Sequence, residues 1–102
     1  MLAGAGLYAD DAAGAAAATG DGDQILRFCP CVRVVDALRA GLSPDEACEK
    51  VLADIAGRVD GTMFEMAVVA VDRRGRVGAA SSFGHWHDHV TGQTWPGPLL
   101  LV

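Results

Sequence analysis

Long apolar runs are missing from this chain. Nowhere in its 102 residues does one approach the roughly 18 that a membrane-spanning helix needs, so a membrane partner is not expected. Positive charge is scarce as well: 8 Lys and Arg stand against 13 Asp and Glu, for a formal net charge of −5. Nucleic-acid binding needs clustered cations to neutralise phosphates, and none is expected here. The longest basic run, Arg73-Arg74 with Arg76 after an intervening glycine, reads as a solvated turn. Paired cysteines are lacking too. Cys29-Pro30-Cys31 is a C-x-C and Cys48 stands alone, so neither a C-x-x-C redox site nor a zinc knuckle is complete. The three thiols read as small apolar groups on or near helix core faces and define no compartment. The first residues carry no basic leader before Asp10 and Asp11, which is not the pattern of a signal peptide.

What is present is apolar and small. Half of the residues, 51%, are hydrophobic and the mean hydropathy is +0.25, rich for a chain that forms one domain at most. Such a surplus predicts surface meant for a partner. Two short small-residue strands are expected, Ala3 to Tyr8 and Gly14 to Thr19, around a turn at Asp10–Ala13. Propensity alone would also allow a helix over the alanine run, but its short length and bracketing glycines favour a buried strand. A helix from about Asp21 to Ala40 carries Ile25, Cys29, Val32 and Leu38 at helical spacing; Pro30 kinks it or splits it in two. Gly41 ends it in the C′ position. Ser43-Pro44-Asp45-Glu46 then offers a capping box, followed by the stripe Ala47, Val51, Ile55 and Val59. Strands from Phe64 to Val71 and from Arg76 to Ser82 flank the turn Asp72–Gly75, a hairpin signature. The expected order is ββααββ, an α+β fold whose helices cover one face of the sheet. Nothing in this chain is expected to cover the other face.

Three sets of residues invite chemistry. Thr19-Gly20 ends a strand just before a helix, which presents a hydroxyl and a backbone N–H where developing negative charge is favoured. Asp21-Gly22-Asp23 lacks the rest of a calcium loop and reads as helix-start acids. His85, His87 and His89 would share one face of a strand; a polar surface face is the plainer reading and a metal site the sharper one. Thr62-Met63 before an apolar strand looks superficially like a nucleophile, but Gly61 and Phe64-Glu65 do not fit such a motif.

Gly4-Ala5-Gly6-Leu7-Tyr8-Ala9-Asp10, Gly14 through Asp23, Leu26-Arg27-Phe28, Arg39-Ala40-Gly41, Ser43-Pro44, Glu46-Ala47-Cys48 and Gly78-Ala79-Ala80 occur in one order and spacing. Together they resemble the C-terminal, β-subunit part of glycosylasparaginases, over about Gly4 to Ser81. The resemblance implies a partial αββα sandwich of the N-terminal-nucleophile hydrolases. In that family a self-cleaved precursor exposes a threonine that attacks the side-chain amide of asparagine, with its own α-amine as base. Carried over, Thr19 Oγ1 and Gly20 N–H would stabilise the oxyanion, and the Gly20 carbonyl would help hold the substrate α-amine. Asp-Gly-Asp and Arg-Phe favour this branch over plant-type asparaginases and isoaspartyl peptidases, whose members also carry Thr-Gly. No cofactor is implied, and full-length members are lysosomal, secreted or periplasmic. The family's Asp-Thr-(Ile/Val)-Gly nucleophile motif and substrate-clamping Arg and Asp are not among these 102 residues. Three expectations follow. The chain is inactive alone and supplies one side of a site for an asparagine-linked substrate; or it is a non-catalytic module that pairs with itself or a homologous subunit; or it is the tail of a longer enzyme. Residues 1–83 are expected to form the family-like domain and 84–102 a divergent tail.

Overall fold

The computed structural model describes residues 4–20, 22–58, 65–82, 86–87 and 94–95. Four antiparallel strands form one sheet in chain order: β1 (Leu7–Asp10), β2 (Gly14–Gly20), β3 (Met66–Asp72) and β4 (Val77–Ser81). Between β2 and β3 run α1 (Gly22–Phe28), α2 (Pro30–Arg39) and α3 (Pro44–Arg58). A separate two-stranded pair joins β5 (Trp86–His87) to β6 (Thr94–Trp95). The architecture is α+β, as the sequence predicts.

Details of the boundaries differ from expectation. The first strand begins at Leu7, not Ala3, because Gly4–Gly6 form a turn closed by Gly4 N–H donating to the Leu7 carbonyl at 2.9 Å. The strand then runs to Asp10, whose carboxylate accepts Ala12 N–H at 2.9 Å and shortens the expected turn to residues 11–13. At Pro30, where the sequence allows either a kink or a split, the helix is split in two. Cys29 adopts a left-handed backbone (φ 48°) and Pro30 opens α2, where its missing N–H costs nothing.

The helix ends behave as the sequence indicates. Gly41 (φ 105°) follows α2, with Gly41 N–H donating to Leu38 O at 3.0 Å and Leu42 N–H to Ala37 O at 3.1 Å, a Schellman end. At α3 the capping box is closed both ways: Ser43 Oγ accepts Glu46 N–H at 3.2 Å and Glu46 Oε1 accepts Ser43 N–H at 3.0 Å. Ala47, Val51 and Ile55 of the expected stripe are buried; Val59 lies outside the described residues. Phe64, expected to open the third strand, also lies outside them.

Side-chain alternation sets two faces. The even-numbered positions Ala16, Met66, Val68, Ala70 and Ala80 join Ile25, Phe28, Val34, Val35, Val51 and Ile55 in the core between sheet and helices. Contact there is close: a Cβ at Gly78 would lie 2.5 Å from the Pro44 carbonyl carbon, so α3 sits directly on the β4 backbone. The odd-numbered positions form the opposite face, from Leu7 and Ala9 through Ala15, Ala17 and Thr19 to Ala67, Val69, Val71, Val77, Ala79 and Ser81. All but Thr19 and Ser81 are apolar. Leu7 is 52% exposed and Val71 37%, but Ala67, Ala79 and Ser81 on the same face are buried, so it is not bare throughout as the sequence led one to expect.

Candidate functional site

Thr19 and Gly20 close β2. Thr19 pairs with Ala67 and Gly20 with Met66, and both residues are exposed. As an odd-numbered position, Thr19 projects from the sheet face turned away from the helices. Its row across the sheet runs through Ala67 to Ser81 on β4, two strand spacings or about 10 Å away. Thr19 Oγ1 has no hydrogen-bond partner among the described residues.

Gly20 is fixed by the neighbouring strand. Its φ is +129°, and a Cβ there would overlap the Glu65 carbonyl oxygen and lie 2.8 Å from the Glu65 carbonyl carbon and Met66 Cα. No side chain fits without moving β3. The start of β3 is itself pinned: Met66 N–H donates to Ser82 Oγ at 2.8 Å, and Ser82 N–H donates to Met66 O at 2.9 Å.

The Gly20 N–H follows from the ladder. Ala18 N–H points toward β1, donating to Gly6 O at 3.0 Å, and two residues on Gly20 N–H points the same way. In a continued ladder its acceptor would be the Gly4 carbonyl. That carbonyl accepts Val32 N–H at 3.0 Å, in the first turn of α2. Among the described residues no acceptor for the Gly20 N–H is found past the end of β1, beside an exposed threonine hydroxyl.

A family model described as Asparaginase matches residues 1–93. The chain belongs to the Asparaginase family. Among curated relatives of this Asparaginase-family chain is the N(4)-(beta-N-acetylglucosaminyl)-L-asparaginase of Rattus norvegicus, 48% identical over 79 residues, covering 78% of this chain and 22% of the rat protein. The Arabidopsis thaliana protein named Probable isoaspartyl peptidase/L-asparaginase 3 is 45% identical over 74 residues, 72% of this chain and 20% of that one. An L-asparaginase-like protein of Drosophila melanogaster is 43% identical over 90 residues, 87% and 22% respectively. The chain thus spans about a fifth of the length of the curated relatives it matches.

The other candidates fall out differently. Asp21, His85 and His89 lie outside the described residues, as do Thr62 and Met63; His87 falls on β5. Arg27 and Phe28 have a packing role: Phe28 is buried, and the Arg27 guanidinium lies 4.8 Å from its ring centroid. The thiols sit where the sequence predicts. Cys31 and Cys48 are fully buried and Cys29 half-buried, all three free. Burial pushes the Cys31 thiol up to about 12, with Cys29 adding to the effect, and burial likewise raises Cys48. Neither buried thiol is an activated nucleophile.

Two features were not visible in the sequence. The direction of the Gly20 N–H depends on strand register, which no local signal announces. Ser81 enters the Thr19 row only through strand register.

Proposed function

We propose that Thr19 and Gly20 form the oxyanion side of an amidohydrolase site whose nucleophile lies outside this chain. The Gly20 N–H, without an acceptor among the described residues, carries this reading. It stands beside the Thr19 hydroxyl, two donors fixed before substrate arrives, as stabilisation of a tetrahedral oxyanion requires. Thr19 also faces the side of the sheet turned away from the helices, where a second sheet of an αββα sandwich would sit and bring the nucleophile. Residues 1–83 are then the sandwich portion, with 84–102 a tail. The substrate class is an asparagine side-chain amide. The glycosylated form is favoured by Asp21-Gly22-Asp23 and Arg27-Phe28, which resemble the glycosylasparaginase branch. Thr19→Val in the complete, active protein tests the assignment. It should lower kcat on a β-aspartyl amide roughly 10²–10³-fold with little change in KM, while Thr19→Ser retains activity. An unchanged kcat for Thr19→Val refutes it.

The exposed apolar positions Leu7 and Val71 favour a second reading, in which the chain is a non-catalytic module that pairs through its open face with itself or a homologous subunit. Self-association at micromolar concentration, weakened by Leu7→Lys and accompanied by no hydrolysis even in the complete protein, would favour that reading over the first.

A further inference from the structure

The β3–β4 turn is exposed, with Arg73, Arg74 and Arg76 all on the surface. It lies beside the end of α2 and the β1–β2 turn, and the three line an open cavity of about 310 Å³. Arg39, Arg73, Arg74 and Arg76 all line it, half of the eight basic side chains in an acidic protein. Asp72 is the one carboxylate among the lining residues. This cavity lies at the far end of β2 from Thr19, for Gly14 pairs with Asp72 and Gly20 with Met66, six residues or about 20 Å away.

Of the acids near the cavity, Asp72, Asp10 and Asp36 are already engaged, while Asp11 of the β1–β2 turn is exposed. Asp72 Oδ1 accepts Arg74 N–H and Arg76 N–H, each at 2.9 Å, and Asp72 Oδ2 accepts Arg76 Nε at 2.7 Å. Asp10 takes Ala12 N–H on one oxygen and Arg39 on the other, and Arg39 also holds Asp36. Glu46 acts on Arg76 at a distance, but its carboxylate is committed to the Ser43 cap. Arg39 and Arg76 are thereby held in place as walls. Arg73 and Arg74 form no ion pair among the described residues. Two guanidinium forks without an acid, on a turn braced by Asp72, suit a ligand with several anionic oxygens.

We propose that this cavity binds a small multivalent oxyanion, of the diphosphate or tricarboxylate kind, through Arg73 and Arg74. The test titrates the protein with inorganic pyrophosphate and, separately, with citrate at constant ionic strength, following backbone amide resonances. Saturable shifts at Ala12, Ala13, Gly41, Arg73 and Arg74 are expected, and the tighter of the two probes names the ligand class. Arg73→Gln and Arg74→Gln should each weaken binding about tenfold, as loss of a charged hydrogen bond does, and leave the melting temperature unchanged. Shifts that never saturate, or equal affinity in the double variant, overturn the proposal.

Discussion

Replacing Gly20 by alanine should destabilise the protein far more than replacing any exposed helical glycine. Two costs add. A non-glycine residue at φ +129° is strained by on the order of 1–3 kcal/mol. The new Cβ also meets β3 backbone, with Glu65 C and Met66 Cα both at 2.8 Å, and relieving such overpacking costs roughly another 1–3 kcal/mol. The sum is about 2–6 kcal/mol. A domain this size shifts by roughly 4–8 °C per kcal/mol, so the melting temperature should fall by at least about 8 °C. Gly57 in α3 is the control. A Cβ there meets nothing within 4 Å and its φ is ordinary, so Gly57→Ala should stabilise by about 0.5–1 kcal/mol. Thermal melts followed by far-UV circular dichroism read both variants. If Gly20→Ala melts within about 2 °C of the parent, the crossing of β2 and β3 at this point has been misread, and so has the reason for glycine beside Thr19.

Two further outcomes follow from the electrostatics. Asp10 is held below its ordinary value of 3.8 by Ala12 N–H and Arg39; Glu46 is held below 4.5 by the Ser43 backbone and hydroxyl. At Asp72 burial acts upward, but Arg76 and the turn N–H groups outweigh it and the carboxyl again lies low. Carboxyls lowered by folding stabilise above their unfolded values and lose that contribution as pH falls through the folded ones. The melting temperature should be level in these terms down to about pH 5 and drop below about pH 4, less steeply in Glu46→Gln; identical profiles for parent and variant would contradict the capping role. The thiols give a sharper contrast. With Cys31 near 12, only about 1 in 10⁴ of its side chains is thiolate at about pH 8. Iodoacetamide should therefore label the half-buried Cys29 well before Cys31 or Cys48, as peptide mass mapping would read; equal labelling in the folded protein would contradict their burial.

How legible the molecule was depends on how local each signal is. The Ser43–Glu46 box, Gly41 and the hairpin at Asp72–Gly75 are written within a few residues, and the structure has each where it was expected. Pro30 announced a break but not its form, since whether a helix kinks or restarts depends on Cys29 adopting a left-handed backbone. The start of β1 was misplaced because Gly4-Ala5-Gly6 carries no side chain large enough to show a strand period. Arg73, Arg74 and Arg76 are exposed, as the sequence led one to expect, but it could not show that α2 ends alongside their turn. Thr19 and Gly20 were singled out through resemblance alone. The face Thr19 occupies, and the direction of the Gly20 N–H, required the register.

The central claim is that this chain holds the oxyanion side of a site and that its nucleophile lies elsewhere. The most direct measurement is hydrolysis of a β-aspartyl amide by the purified 102-residue chain. The account predicts no turnover above background, with activity confined to a longer species that yields an N-terminal threonine fragment. Turnover by the 102-residue chain itself, abolished by Thr19→Ala, would contradict it.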